Sequence, residues 1–334
     1  MEVSIGIGIT NDCNLNCAHC YRPQDRVYQL DLDEIKAIYE RLDVASFNMG
    51  TGESWLHPQF PQIVEYLAER GIKMSMASNG HSIGEMPASL LQRFHDVEVS
   101  VDFATAEGQD AFRGQGNWAC VMEAIDRCHA FGVEVTILTT LMNINYAEMD
   151  RLVAVARDVG ANLRVNVYQP VGQDHFMLSY DQFWEGYRRL FDTGRLLNTS
   201  EPIVHAMLGL DSLVGSPCGR KSIRFTPQRY ITPCVYWPQP ELTLDDLPAL
   251  NAERILESAQ FVRARLVPDA CHDCPHVAYC GGGCASRRAL LGELNQPDIY
   301  CPLVRGETMD LSFTPAPEKD LPRGGNVCTT IIVP

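Results

Sequence analysis

Three cysteines near the start of the 334-residue chain, Cys13, Cys17 and Cys20, are spaced C-x3-C-x2-C. Three thiolates so close together can hold three irons of a 4Fe–4S cluster and leave the fourth iron open to chelate a substrate or cofactor. A zinc ion would want a fourth ligand, and His19, although adjacent, is poorly placed to share an ion with its neighbours. Far downstream, Cys271, Cys274, Cys280 and Cys284 are spaced C-x2-C-x5-C-x3-C, with Cys301 after them and Cys218 and Cys234 before. The run Gly281-Gly282-Gly283 suits a backbone that folds tightly round a metal centre. Cys120 and Cys128 fall in an expected helix and read as structural thiols. Cys328 stands in the tail, an inert thiol on the plainer reading and a ligand or hydrogen-atom donor on the other.

The other residues bound what this chemistry serves. The first ten residues carry no basic segment before their apolar run, so they read as a strand rather than a signal peptide. No run of about 18 apolar residues marks a membrane span. The expected setting is cytoplasmic, where thiols stay reduced, and metal ligation is the leading account of thirteen cysteines. A net charge of −15 argues against a nucleic-acid partner, which needs a basic surface. It is compatible with a cationic substrate, although acidity also serves solubility alone.

The elements that must position these residues follow from periodicity. Short β-rich runs fall at 3–10, 45–51, 73–78, 97–102, 134–141 and 163–169, with helical stretches near 33–42, 60–70, 117–131 and 147–158. Ile35, Ile38, Tyr39 and Leu42 share one helical face, and Asp31 with Glu34 forms a capping box. Strands alternating with helices imply a parallel sheet with right-handed crossovers. Six units are too few for a full eight-stranded barrel, so the expected fold is α/β, a partial (β/α)6 TIM-like barrel over 1–170. A helical connector over 171–215, a small irregular cluster-binding domain over 216–305 and a tail over 306–334 follow. The cysteine triplet then lies at the C-terminal end of the first strand, where parallel barrels carry their active sites.

This arrangement resembles the radical S-adenosylmethionine superfamily. The resemblance implies that the open iron binds the amino and carboxylate groups of S-adenosylmethionine and that the cofactor is cleaved to a 5′-deoxyadenosyl radical. Gly50-Thr51-Gly52-Glu53-Ser54 stands where the family has a Gly-Gly-Glu-Pro-like motif, with Thr51 and Ser54 departing from it. By the resemblance Glu53 accepts from the cofactor's ammonium group. Ser78 and Asn79 meet its ribose and carboxylate, Ser100 and Asp102 end the fourth strand, and Arg113 pairs with its carboxylate. The residue before the last cysteine, usually aromatic in the family, is His19.

The C-terminal cysteines resemble the SPASM extension of that family, which binds two auxiliary 4Fe–4S clusters, making three clusters in all. By its pattern Cys271, Cys274, Cys280 and Cys301 ligate one cluster fully, and Cys218, Cys234 and Cys284 ligate the other. Arg229 replaces the family's glycine, and no further cysteine lies between Cys128 and Cys218. The second cluster is therefore expected to have three cysteine ligands, its open iron taking a substrate atom, water or a residue such as Asp211.

The implied function is radical abstraction of a hydrogen atom, fed by an external electron donor of the flavodoxin or ferredoxin type. The expected substrate is a small natural product such as a sugar or aminocyclitol, oxidised or epimerised at one carbon. Two weak arguments favour it: acidity suits an aminoglycoside, and a triplet starting at residue 13 leaves no room for an N-terminal peptide-recognition module. The alternative is modification of a ribosomal peptide, followed by tetrapyrrole chemistry, and a different class is a cluster-bearing electron carrier without turnover. Arg164, Asn166, Tyr168 and Gln169 on the sixth strand are candidate substrate contacts, either the odd or the even set facing inward. Trp55 and His57 are expected to pack or cap a loop.

Overall fold

A computed structural model describes residues 1–210, 218–319 and 328–334. Asp211 lies outside them. Six strands, β1 (Val3–Ile7), β2 (Val44–Met49), β3 (Lys73–Ser78), β4 (Asp96–Ser100), β5 (Glu134–Leu141) and β6 (Asn162–Val167), lie side by side in sequence order, each parallel to the next. The crossovers carry helices α1 (Leu32–Arg41), α2 (Phe60–Ala68), α3 (His81–Glu85), α4 (Ala88–Leu91), α5 (Ala106–Arg113), α6 (Asn117–Ala130) and α7 (Met149–Asp158). The capping box at the start of α1 forms as expected, with Glu34 N donating to Asp31 and Asp31 N to Glu34, both at 2.9 Å. Helix α8 (Tyr180–Thr193) has a second box, Ser179 with Gln182, and buries Phe183, Trp184, Tyr187 and Leu190. The partial, open barrel is therefore present.

The sheet runs further than the six expected strands. After β7 (Arg195–Thr199) and α9 (Pro202–Met207), β8 (Ser222–Phe225) pairs parallel to β1, with Ile5 opposite Ile223. Strands β9 (Tyr230–Thr232) and β10 (Leu242–Thr243) continue that edge antiparallel. On the other side, after β11 (Thr314–Pro315), the chain's last strand β12 (Thr329–Val333) inserts antiparallel between β6 and β7. The stretch expected as a helical connector thus contributes a strand, and the tail becomes an interior one. Its run Thr-Thr-Ile-Ile-Val is β-branched throughout and almost wholly buried, so it lacks the alternation that betrays a strand with one wet face.

A buried ion group fixes the C-terminal half. Arg287, on the short helix Ala285–Leu290, meets Asp298 at 2.6 Å and Glu201 at the start of α9 at 2.8 Å, all nearly inaccessible. Inside the barrel, Arg164 meets Glu98 at 2.5 Å, and Thr136 donates to Asp96 at 3.0 Å. Burial and the nearby Glu98 push the Asp96 carboxyl up to about 7.

Two predictions follow from these local conflicts. Arg229 holds the left-handed region at φ 71°, at the position where the SPASM resemblance implies glycine, and its guanidinium is anchored by Asp245 at 2.7 Å and by Glu34. Left-handed backbone costs a side-chain-bearing residue about 1–2 kcal/mol, so Arg229→Gly should be more stable than Arg229→Ala by about 1 kcal/mol in urea titrations. Asp96 has a raised folded pKa, so it binds its proton more tightly folded than unfolded. Its contribution to stability is greatest below the unfolded value near 3.8 and is lost as pH rises to about 7. Asp96→Asn should therefore melt above the parent at pH 8, with the gap shrinking as pH falls to 4.

Candidate active site

The loop after β1 is framed by side chains bonded to its own backbone. Asn11 donates to the carbonyls of Pro23 and Arg26, each at 2.9 Å, and accepts from Tyr28 N at 2.6 Å. Arg22 donates to Leu15 O at 2.6 Å. Between these ties Cys13, Cys17 and Cys20 are half-buried and line one cavity of about 230 Å³. The Cys13 sulfur receives the N–H of Leu15 at 3.5 Å and the amide of Asn79 at 3.6 Å. Burial pushes the Cys13 thiol up to about 11 and raises that of Cys17 as well.

Glu53 gathers the ends of β2 and β3. Its buried carboxylate accepts from Ser78 Oγ at 2.5 Å, Ser82 N at 2.8 Å and Asn79 N at 2.9 Å, while its own N–H donates to Asp12 O at 2.7 Å. A carboxylate has about four lone-pair sites, so room remains on Oε2, and Glu53 does line the cavity. The expected contacts Ser78, Asn79 and Ser100 line it too. Their neighbours were not foreseen: Gln109 donates to Ser100 O at 3.0 Å and to Asn117 at 2.8 Å, and Asn117 donates to Asn79 O at 3.0 Å. Helices α5 and α6 thus hold the ends of β3 and β4 through amide side chains.

Arg113 reaches the cavity with its charge already engaged. Two of its nitrogens lie 2.7 Å from Asp102 Oδ2, so a cofactor carboxylate would share a fork that Asp102 orients. His19 stacks on Phe112 with centroids 4.9 Å apart, and its Nε2 lies 3.8 Å from Asp102. Burial lowers its pKa to about 4, so it serves as a neutral ring packed beside the loop.

The inward set on β6 is the even one, Arg164, Asn166 and Tyr168, joined by Gln169 where the strand ends. Four arginines, Arg22, Arg113, Arg164 and Arg224, against two glutamates, Glu53 and Glu98, line the cavity. Arg224 was missed in the sequence, although its place between the apolar Ile223 and Phe225, on the opposite face of β8 from both, was a usable signal. It donates to Gly50 O at 3.0 Å and Thr51 Oγ1 at 2.6 Å, and no carboxylate bonds it among the described residues. Trp55 packs edge-on against Phe60, and His57 Nδ1 accepts from Gln59 N, both loop roles as expected.

The remaining cysteines fall into two groups. Burial, and then charge on neighbouring cysteines of the set Cys271, Cys274, Cys280 and Cys301, raises the pKa values of Cys271, Cys280 and Cys301, which places the four close together. Cys218, Cys234 and Cys284 form a second group, with Cys218 within hydrogen-bonding reach of Cys234. Cys128 is buried under the sheet, its thiol pushed up to about 12. Among the described residues no three His, Cys, Asp or Glu side chains converge on one point as a single metal ion demands. A 4Fe–4S cluster instead spreads its thiolates over separate irons, and the donor set of thiols with N–H groups on sulfur fits it.

Residues 7–156, β1 through most of α7, match the family described as the radical SAM superfamily. This stretch is a radical SAM domain. Among curated relatives, mycofactocin maturase MftC of Mycobacterium tuberculosis (strain ATCC 25618 / H37Rv) is 27% identical over 348 residues, covering 96% of this chain and 88% of the relative. The antilisterial bacteriocin subtilosin biosynthesis protein AlbA of Bacillus subtilis (strain 168) is 24% identical over 293 residues, covering 82% of this chain and 65% of AlbA. Among solved structures, Streptococcus suis SuiB bound to precursor peptide SuiA superposes with a TM-score of 0.69 at 14% identity, over 90% of this chain and 76% of SuiB. The anSMEcpe structure with bound AdoMet and Kp18Cys peptide does so with a TM-score of 0.71 at 17% identity, over 91% of this chain and 95% of that one. At these identities the structures speak for a shared fold.

The two departures from the radical SAM and SPASM glycine patterns are resolved by geometry. Thr51, like Arg229, keeps the left-handed backbone (φ 78°), and its hydroxyl is held by Tyr21 at 2.7 Å and by Arg224. Strain in a β-branched residue persists only where its surroundings over-determine it. At Gly52 (φ 66°) an added Cβ would meet Asp12 O at 2.4 Å and Thr10 O at 2.7 Å, whereas at Gly50 nothing lies within 4 Å. Gly52→Ala should therefore displace the cysteine loop, lowering stability by about 1–3 kcal/mol and reducing the iron retained after anaerobic reconstitution. Gly50→Ala should do neither. Equal behaviour of the two in iron assays and urea titrations would contradict this packing account.

Proposed function

We propose that the chain is a radical enzyme of the SPASM kind that modifies a peptide, drawing electrons from a flavodoxin- or ferredoxin-type donor. The observation that carries the reading is the placement of the cavity. One wall is the Cys13, Cys17 and Cys20 loop with Glu53, Ser78, Asn79 and Ser100, and the opposite wall includes Arg224, Val235 and Tyr236, beside Cys234. A substrate there would lie between the cluster that starts the reaction and one that can take an electron afterwards.

In this reading Cys13, Cys17 and Cys20 hold the radical cluster, Cys271, Cys274, Cys280 and Cys301 one auxiliary cluster, and Cys218, Cys234 and Cys284 the other. When bound, the first cluster and S-adenosylmethionine supply hydrogen-atom abstraction from an unactivated carbon. The protein's own contribution is positioning. Asn79 puts an N–H on the Cys13 sulfur, which tunes a cluster's potential. Glu53 keeps one lone pair for an ammonium group, and Asp102 fixes the Arg113 fork for a carboxylate. Residues 1–170 form the radical barrel and 216–305 the auxiliary-cluster unit, joined by 171–215.

The substrate class moves from the sugar expected on net charge to a peptide. The acidity of the whole chain does not extend to the cavity, where arginines outnumber glutamates, so a polyamine or aminoglycoside would meet like charge. The mycofactocin maturase similarity, spanning 96% of this chain, and the SuiA-bound fold neighbour support the same choice.

Anaerobically reconstituted protein should hold about twelve irons, falling to about eight when Cys13, Cys17 and Cys20 are all changed to Ala, with loss of dithionite-driven 5′-deoxyadenosine formation. Offered a random peptide pool made from perdeuterated amino acids beside a deuterated aminocyclitol, the enzyme should carry deuterium into 5′-deoxyadenosine from the peptides. Transfer from the aminocyclitol instead would return the function to small-molecule oxidation or epimerisation.

A further inference from the structure

The second group of C-terminal cysteines has a member that the SPASM pattern does not supply. Cys328 opens the strand β12, and its position is over-determined. Thr329 N donates to Ser200 Oγ at 3.1 Å, Ser200 N donates to Thr329 O at 2.7 Å, and the Thr199 and Thr330 hydroxyls meet at 2.7 Å. In the ladder Thr329 faces Asn166, at the C-terminal end of β6, the end that lines the cavity. The Cys328 thiol lies within hydrogen-bonding reach of both Cys218 and Cys284, and Cys218 is within reach of Cys234. The four thiols are buried together, packed with Trp237, Ala264 and Ala285. None is in a disulfide.

We infer that Cys328 is the fourth thiolate ligand of the auxiliary centre held by Cys218, Cys234 and Cys284. The inference rests on the reading that the C-terminal cysteines carry clusters. A 4Fe–4S cluster takes one thiolate per iron, and the three-cysteine set expected from the sequence leaves one iron without a protein ligand. The chain offers no cysteine from 129 to 217, the side on which a further ligand was sought. It supplies one from the opposite end, carried in by the last strand. The contacts link the thiols in series, Cys234 to Cys218 to Cys328 to Cys284, which places Cys328 inside the group rather than at its rim. A centre closed by four thiolates cannot coordinate substrate, so this cluster acts as an electron relay at the cavity wall.

The test uses the full chain with Cys13, Cys17 and Cys20 changed to Ala, so that only auxiliary iron is counted. This parent should hold about eight irons, and its EPR spectrum after reduction should not respond to cyanide. Adding Cys328→Ala should either lower the count to about four or leave a cluster whose spectrum shifts when cyanide takes the vacated iron. Cys128→Ala, which removes a buried thiol outside the group, should match the parent. Iron-free forms of both variants should give the parent's far-UV circular dichroism, which separates lost ligation from lost folding. A Cys328→Ala protein with the parent's iron content and a cyanide-silent spectrum would overturn the assignment while leaving the two-cluster reading intact. A parent that holds only about four irons, or none, would instead defeat the two-cluster reading itself.

Discussion

The parallel pairing of β8 with β1 is the contact on which the whole site depends. Ile5 and Ile7 face Ile223 and Phe225 in this ladder, and all four are fully buried. Each such side chain contributes about 1.5–3 kcal/mol by leaving water, so the pairing is secured by apolar burial as well as by its hydrogen bonds. Because β1 also pairs with β2, one strand sets three things in register: the cysteine loop at its own end, the Glu53 turn after β2, and Arg224 on β8. Through the turn from β8 to β9 it brings Val235 and Tyr236, which follow Cys234, to the same cavity. A separate C-terminal unit docked on the barrel face would have to find this geometry; a continuous sheet has it built in.

Charge is distributed against the grain of the composition. The chain carries −15 overall, yet its interior holds Arg224 with no carboxylate bonded to it among the described residues and Arg287 between two acids. Removing one partner of such a buried group typically costs 3–5 kcal/mol, so Arg287 ties α9, the helix that begins at Ala285 and the loop to Cys301 into one piece. Arg224 has another use. If Cys234 helps to hold a cluster as proposed, the cluster with its thiolates would be an anion, and the buried Arg224 guanidinium, near enough to feel the charge on Cys234, would offset it. Burial raises the Cys13 and Cys280 thiol pKa values, and the Cys218 contact followed by burial raises that of Cys234, which favours the neutral thiol. On the proposed reading, iron would turn the thiols to thiolates and give the arginines partners, so folding of this region and metal uptake would reinforce one another.

The sequence revealed the elements whose pattern reflects their surroundings directly. The six barrel strands, the capping box at Asp31 and the triplet loop could all be read, because periodicity and caps are local signals. What escaped reading was tertiary. Strand β12 is buried on both faces and loses its alternation. Gln109 and Asn117 act through amide bonds to strand ends remote in sequence. Thr51 and Arg229 hide a glycine-like backbone under side chains whose partners, Tyr21, Arg224, Glu34 and Asp245, are known only once the chain is folded. Net charge is a poor guide to the cavity for the same reason: a sum over the whole chain says little about the side chains that face a cavity, where arginines outnumber glutamates.

The insertion of β12 couples the two ends of the site. This strand pairs with β6, whose Arg164 and Asn166 face the cavity, and it delivers Cys328 to the second thiol group. A shift of the last strand would therefore move the substrate wall and the cluster set together. Edge strands tolerate such movement, but β12 is held on both sides, by β6 and by β7, and the hydroxyls of Thr199, Ser200, Thr329 and Thr330 lock it further. If the second thiol group holds the proposed relay, it would have to stay at a fixed distance from the reacting carbon, since electron transfer falls off steeply with separation. A last strand used as an interior one, held on both sides, would supply that anchorage.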